Sequence, residues 1–288
     1  MTAAALRNAL RALLTRAGIE NPDGDSRLIL EYVTGYSGAA FLMHDRDEIA
    51  QEAEQQALTM ARRRAGGEPI QYILGTWRFM GRDYAVGKGV LIPRDDTEVV
   101  VRAALELMKN AASPAVVDLC AGSGIIAVTL SKELNRPTVT AVEKSAEAYA
   151  YLEKNIAAHH AHVKSILADL RDCADDIEDG SLDLLISNPP YIPSGEINTL
   201  QSEVRYEPRL ALDGGKDGCD LYREIIRLWS KKLKKSGIIA LELGEDQYEP
   251  VRRMLEDHGY TAVKGYEDIQ GTIRAVTAVY ISNDPQKK

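Results

Sequence analysis

Cysteine is scarce in this chain, and Cys120, Cys173 and Cys219 are scattered without the paired spacing of a zinc site or a disulfide framework. That usage fits a reducing cytoplasm. No apolar run approaches the roughly 20 residues of a membrane span, so no membrane association is expected. Basic residues are not in excess: 35 Lys and Arg stand against 43 Asp and Glu, a net charge of −8, which argues against a broad nucleic-acid-binding surface. Gly-Lys-Ser/Thr is missing, which removes a P-loop, and the third glycine of the dinucleotide fingerprint is missing too. His159, His160 and His162 cluster, but no carboxylate or cysteine neighbour completes a metal set. They read as a polar helix end, and no metal is expected. Repeats and low-complexity tracts are absent, and only the tail after Ile281 has a frayed composition.

What is present divides in two. A chain of 288 residues, 45% hydrophobic and 27% charged, is a soluble globular protein long enough for a small domain and a larger one. Leu6, Leu10, Leu13 and Leu14 share one helical face. The basic, acid-free start is compatible with a transit peptide, but this spacing fits the first helix of a bundle better. A second helix is predicted over Ser26–Thr34, ending at Gly35, and a third over Asp47–Arg64, with acids early and Arg62, Arg63 and Arg64 late. The three arginines read as a solvated helix end or as an RNA-contact patch. The pattern gives a helical domain over 1–75, a β-hairpin linker over 76–95 and an α/β domain over 96–288. In the linker, glycines punctuate extended segments at Trp77–Met80, Tyr84–Val86 and Val90–Ile92. Asp96 or Thr97 is placed to cap the helix that follows.

The third region alternates strands and helices. A strand at Ala115–Leu119 runs into Cys120-Ala121-Gly122-Ser123-Gly124, a turn whose glycines allow close backbone approach to a ligand. The next strand, Thr138–Val142, ends in Glu143, an acid placed to take both hydroxyls of a ribose. A lone Gly-x-Gly followed by an acid is shared by dehydrogenases and methyltransferases. Asp169, past the strand Val163–Leu167, is open to two readings, a turn or cap residue or a partner for an adenine amino group with Leu170 packing on the ring.

The residues that separate the classes are Asn188-Pro189-Pro190-Tyr191, directly after the apolar strand Leu184–Ile186. Two prolines forbid continuation of the strand and leave a rigid loop. Read blandly it is a Pro-rich turn. Chemically, the Asn188 side-chain oxygen and the Ser187 or Pro189 carbonyl are acceptors suited to a planar –NH2, with Tyr191 to stack on its face. Hydride transfer has no use for that tetrapeptide. Downstream, a helix over Leu221–Leu233, a strand over Ile238–Leu243, a helix over Gln247–His258 and an antiparallel closing strand over Ile273–Ile281 are predicted.

From Leu6 to Val279 the chain resembles the HemK/PrmC-type release-factor glutamine N5-methyltransferases, class I S-adenosylmethionine-dependent enzymes. The resemblance rests on Glu68–Gly75, Val90–Arg94, Asp118–Gly124, Asn188–Pro193 and Ala211–Gly218. The family usually has Gly where Cys120 stands, Arg-Pro-Glu-Thr-Glu for Arg94–Glu98, and Gly-Arg-Asp-Arg for Gly271–Arg274. The resemblance implies a Rossmann-like, seven-stranded methyltransferase sheet behind a helical substrate-docking domain. It implies that Cys120, Ala121, Gly122, Ser123 and Gly124 wrap the methionine part of S-adenosylmethionine, Glu143 the ribose, and Asp169 and Leu170 the adenine. Asn188, beside both cofactor and substrate, would act with Pro189, Pro190 and Tyr191 on the Gly-Gly-Gln glutamine of class 1 peptide chain release factors. A ribosomal-protein glutamine methyltransferase shares every motif, and DNA or RNA base amino-group methyltransferases share the tetrapeptide. The acidic charge disfavours the latter, and the paired loops disfavour a non-enzymatic binding module.

Overall fold

The computed structural model describes residues 1–281 apart from Ser37, Ala39, Phe41 and Leu42. The frayed tail expected after Ile281 lies outside the described residues. The chain forms two compact units: Met1–Thr76 with Gln201–Tyr206, and Trp77–Leu200 with the chain from Glu207 onward.

In the first unit, α1 (Ala3–Arg16), α2 (Pro22–Thr34) and α3 (Gln51–Ala65) pack around Leu6, Leu10, Leu14, Ile29, Leu30 and Ala61, and a short α4 (Ile70–Leu74) follows. The leucine stripe of α1 faces inward, as its spacing predicts. Helix α2 starts at Pro22, earlier than expected, because Asn21 Oδ1 accepts from the Gly24 amide at 3.0 Å and Pro22 has no N–H to lose in the first turn. It ends, as predicted, at Gly35 in the left-handed conformation. The arginine run corrects both sequence readings at Arg64. That side chain is buried, Nε donates to Asp25 Oδ2 at 2.6 Å, and Nη2 pairs with Glu203 of the 201–206 segment. Burial raises the Asp25 carboxyl, and Arg64 pulls it back. Arg63 is exposed and forms a forked pair with Glu68.

The hairpin β1 (Thr76–Phe79) and β2 (Arg82–Ala85) begins at the boundary. Val90–Ile92 is irregular rather than a strand, with Val90 and Ile92 buried and Leu91 partly so. Then come α5 (Thr97–Met108), β3 (Ala115–Leu119), α6 (Ile125–Glu133), β4 (Thr138–Glu143), α7 (Ala146–Ala158), β5 (Val163–Leu167) and α8 (Leu170–Cys173). After them follow β6 (Leu182–Ser187), α9 (Asp220–Trp229), β7 (Leu233–Glu242), α10 (Tyr248–Asp257), β8 (Tyr260–Glu267) and β9 (Ile273–Tyr280). The described strands make a seven-stranded sheet in the order β5-β4-β3-β6-β7-β9-β8, parallel except for β9, which runs antiparallel to β7 and β8. The sheet therefore has the Rossmann-like methyltransferase form.

Central strands alternate their contacts across two layers. Val116, Leu184, Ile186 and Ile238 pack with α5, α6 and α7, whereas Val117, Leu185 and Ile239 pack with α8, α9 and α10. Burial on both faces is what the near-continuous apolar runs of parallel strands encode. Among the described residues, no helix is long and apolar enough to cross a membrane.

Candidate active site

Strand order turns outward from β3 to β4 and β5 on one side, and to β6 and β7 on the other. The reversal lies between β3 and β6, where doubly wound sheets open a crevice beyond the carboxyl ends of their strands. A cleft opens there, lined entirely by the second unit. It brings together Cys120, Ala121, Gly122, Ser123, Glu143, Asp169, Leu170, Asn188 and Pro190. Gly124, Pro189 and Tyr191 are not among the lining residues.

The loop after β3 is built for tight turns. Cys120 has φ 59°, a left-handed conformation that costs a residue with a Cβ about 1–2 kcal/mol and that glycine adopts freely. Burial, with the Glu143 charge nearby, pushes its thiol well above the ordinary range, so the sulfur stays protonated. Gly124, at φ 82°, opens α6, and a Cβ there would stand 2.5 Å from Leu152 Cδ1. Beneath the loop, Asp118 is fully buried. Its Oδ2 accepts from the Ala127 amide at 3.0 Å, its Oδ1 has no partner, and burial raises its pKa well above the usual carboxylate value.

Asn155, which sequence reasoning missed, clamps the loop from α7. Its Nδ2 donates to Ser123 O at 2.8 Å and Ala85 O at 3.0 Å, and its Oδ1 accepts from Ala85 N at 2.7 Å. A buried Asn on the inner face of a helix was the available signal.

Glu143 closes β4 with Oε2 accepting from Gly122 N at 2.8 Å and Oε1 from Ser145 N at 2.6 Å. Burial raises its pKa, and the Ser145 and Gly122 amides pull it back. At Asp169 the capping role is present: it accepts from the Arg171 amide at 3.0 Å and starts α8. It also pairs with Lys144 at 2.9 Å and Arg171 at 3.1 Å while lining the cleft. Burial opposes its ionisation, but the Arg171 amide and the two cations outweigh it and hold the carboxyl below its ordinary pKa. Leu170 is buried, and its carbonyl accepts from Trp229 Nε1 at 3.1 Å.

On the other side of the crevice, Ser187 Oγ donates to Leu119 O at 2.6 Å and ties β6 to β3. Asn188 follows, with Nδ2 donating to Thr97 Oγ1 at 3.2 Å. This corrects the capping expectation for Thr97. Asp96 occupies the N-cap position without a capping bond, and its Oδ2 lies 3.3 Å from Arg274 Nε. Behind the prolines, Gln247 Nε2 donates to Tyr191 O at 2.8 Å, and Ile192 bridges to Asp213 in parallel register. Gly218 must be bare, since a Cβ there would sit 2.3 Å from Tyr191 O. The Tyr191 hydroxyl faces Glu242. Glu207, also missed, is buried, accepts from Ile92 N at 2.8 Å and pairs with the cleft-lining Arg94.

Among the described residues, no set of three or more His, Cys, Asp or Glu is arranged to hold a metal ion. His159 Nε2 instead lies 2.9 Å from Asp83 O, with the ring 4.7 Å from that of Tyr84. The donor set fits S-adenosylmethionine: an acid for vicinal hydroxyls at Glu143, apolar Val142, Ile126 and Leu170 for a base, and a loop in which a Cβ at Gly122 would meet only open space.

Comparison with known proteins agrees. The family model described as the PrmC N-terminal domain matches residues 5–75, and that described as the methyltransferase small domain matches residues 95–204. The release factor glutamine methyltransferase of Geobacter sulfurreducens is 39% identical over 267 residues, covering 92% of this chain and 92% of that protein. Its counterpart from Clostridium botulinum is 36% identical over 269 residues, covering 92% of this chain and 95% of that one. Among solved structures, the hMettl16 catalytic domain in complex with MAT2A 3'UTR hairpin 6 matches with a TM-score of 0.53 at 14% identity, covering 78% of this chain and 92% of that chain, a likeness of fold alone. Sequence likeness at this level runs through both units, and the chain belongs to the release factor glutamine methyltransferase family.

Proposed function

We propose that the protein transfers a methyl group from S-adenosylmethionine to the side-chain amide nitrogen N5 of the Gly-Gly-Gln glutamine in class 1 peptide chain release factors. The observation that carries this reading is Asn188. Its amide nitrogen is occupied by Thr97, so its oxygen is the group left to accept from an incoming –NH2 at the edge of the cleft. When bound, the cofactor supplies an electrophilic methyl that carries its own leaving group.

The chain's task is then to make a poor nucleophile adequate. An amide nitrogen shares its lone pair with its carbonyl. Asn188 Oδ1 and the Pro189 carbonyl, accepting its two N–H groups, favour an arrangement that aims the lone pair at the methyl. Positioning of this kind supplies up to about 7–11 kcal/mol. Glu143 holds the ribose, Leu170 the adenine face, with Asp169 at its amino edge, and the Cys120–Gly124 loop the methionine portion. Methylation would cost the nitrogen one of its two N–H protons, released to solvent, and the cofactor would leave as its neutral thioether. Every cleft-lining residue comes from the second unit, which supports a docking role for the helical unit toward the protein substrate. The acidic net charge supports a protein rather than a nucleic-acid partner.

The test is methyl transfer from labelled S-adenosylmethionine to purified release factor, ribosomal protein and DNA, with mass mapping of the product. Label on the Gly-Gly-Gln glutamine alone is expected. Label on a base, or on ribosomal protein in preference to release factor, overturns the assignment.

A further inference from the structure

Behind Asn188 lies a carboxylate that the methyl-transfer reading does not use. Glu242 ends β7 with 1% of its surface exposed; the Thr97 and Tyr191 hydroxyls face it, but neither carboxylate oxygen closes a hydrogen bond of full geometry. Buried polar groups in folded proteins are nearly always paired, and an unpaired buried carboxylate is costly, so one kept beside an active site calls for a reason. The groups facing it come from several elements. Thr97 and Asp96 stand at the start of α5, Tyr191 in the loop after β6, and Arg274 on β9, while the Tyr222 hydroxyl of α9 donates to its backbone carbonyl at 2.8 Å. Arg274 is shared between Asp268 at 3.0 Å and Asp96 at 3.3 Å, and forms no ion pair with Glu242.

The central member is Thr97. A hydroxyl has one proton to give. Thr97 Oγ1 accepts from Asn188 Nδ2, so its own proton is free for Glu242. We propose that ionised Glu242 is a positioning residue that sets the polarity of the Asn188 amide through Thr97. A carboxylate can only accept. It obliges Thr97 to donate toward β7 and to accept from Asn188, which leaves the Asn188 oxygen facing the substrate –NH2. A carboxylic acid can donate. Thr97 is then free to reverse, donating to Asn188 Oδ1 with the amide turned over, and a donor is presented to a donor.

Burial pushes Glu242 up to about 7, partly offset by Thr97, with Asp96 raising and Arg274 lowering it. The competent carboxylate form therefore fills above about pH 7 and empties below it. The expected consequence is an acid limb in which turnover falls about tenfold per pH unit below that value. The inference rests on the methyl-transfer reading, and the two fail separately: no transfer by the wild type removes that reading, whereas transfer without the behaviour below removes only this one.

Turnover on release factor should be followed from pH 5.5 to 9 in wild type, Glu242→Gln and Thr97→Val, with cofactor affinity and unfolding midpoint measured alongside. Glu242→Gln should lower turnover on the order of tenfold at pH 8, the loss of one well-oriented hydrogen bond, and flatten the acid limb, while cofactor affinity stays within about threefold. Thr97→Val should flatten the same limb, and the double variant should be no worse than the poorer single one, as residues acting in series behave. Glu242→Asp, which keeps the charge, should retain a limb. Should Glu242→Gln fold poorly, the wild-type and Thr97→Val profiles decide. A wild type without an acid limb, a limb that survives in Thr97→Val or Glu242→Gln, or additive losses overturn the proposal.

Discussion

Replacing Gln247 by Ala should loosen the Asn188–Tyr191 loop without touching the cleft. Gln247 sits at the start of α10, 8% exposed. Its Nε2 donates to Tyr191 O at 2.8 Å and to Gly218 O at 3.3 Å, while its Oε1 accepts from Gly244 N at 2.9 Å and lies 3.1 Å from the Tyr222 hydroxyl. Truncation takes the Gln247 partner from the Tyr191 and Gly218 carbonyls and from the Gly244 amide. Tyr222 is not orphaned, because its hydroxyl also reaches Glu242 O. A buried group left unpaired costs about 1–3 kcal/mol, and part of that returns if water enters, so a total near 2–4 kcal/mol is expected. In a domain of this size each kcal/mol moves the midpoint by about 2–4 °C, so thermal unfolding should shift by roughly 4–16 °C. Turnover should drop with it, because the carbonyl of Tyr191 anchors the loop that carries Asn188, while cofactor affinity should hold. A shift below about 1 kcal/mol with normal turnover would refute the reasoning, showing that the prolines alone fix the loop.

Asn188→Ala should abolish turnover while leaving cofactor affinity within about tenfold, or 1.4 kcal/mol, and near-normal turnover would end its proposed role. Glu143→Ala should weaken cofactor binding by about 1.5–3 kcal/mol in a calorimetric titration, and an unchanged dissociation constant would reduce Glu143 to a buried tie for the Gly122 and Ser145 amides. Arg64→Ala should cost about 3–5 kcal/mol in denaturant unfolding by stranding buried Asp25, with Asp25→Leu/Arg64→Met recovering most of it; a loss under about 1 kcal/mol would mean the pair is dispensable.

Local pattern carried much of this molecule. Ala115–Leu119 and Val163–Leu167 are strands at their expected bounds, and the alternation of Ile273–Ile281 marked an antiparallel strand. Strand β8 escaped notice because Lys264, Gly265 and a burial pattern without alternation blur the period-two signal of an edge strand. Val90–Ile92 misled in the opposite direction: its apolar run is mostly buried by packing and by the Glu207 carboxylate, with no ladder beside it.

The larger omission is of partners. Thr97 was legible as a helix start, but its meeting with Asn188 spans 91 positions, and that of Glu207 with Ile92 spans 115. Such pairs are created when the sheet closes, and no window of periodicity contains both members. Nor could any local window show that the aromatic of the tetrapeptide has Glu242 near its hydroxyl, since that residue lies at the end of β7.

The helical unit also carries a consequence for how the protein is made. It is a discontinuous body: Glu203, which answers Arg64, follows it by 139 positions. At about 5–20 residues per second of synthesis, Arg64 leaves the ribosome roughly 7–28 seconds before its second acid partner exists. Until then Asp25 alone must hold that charge, and the bundle waits in an unfinished form. The last ion-pair partner of the first body to emerge is therefore supplied only after the sheet's fourth parallel strand has been translated.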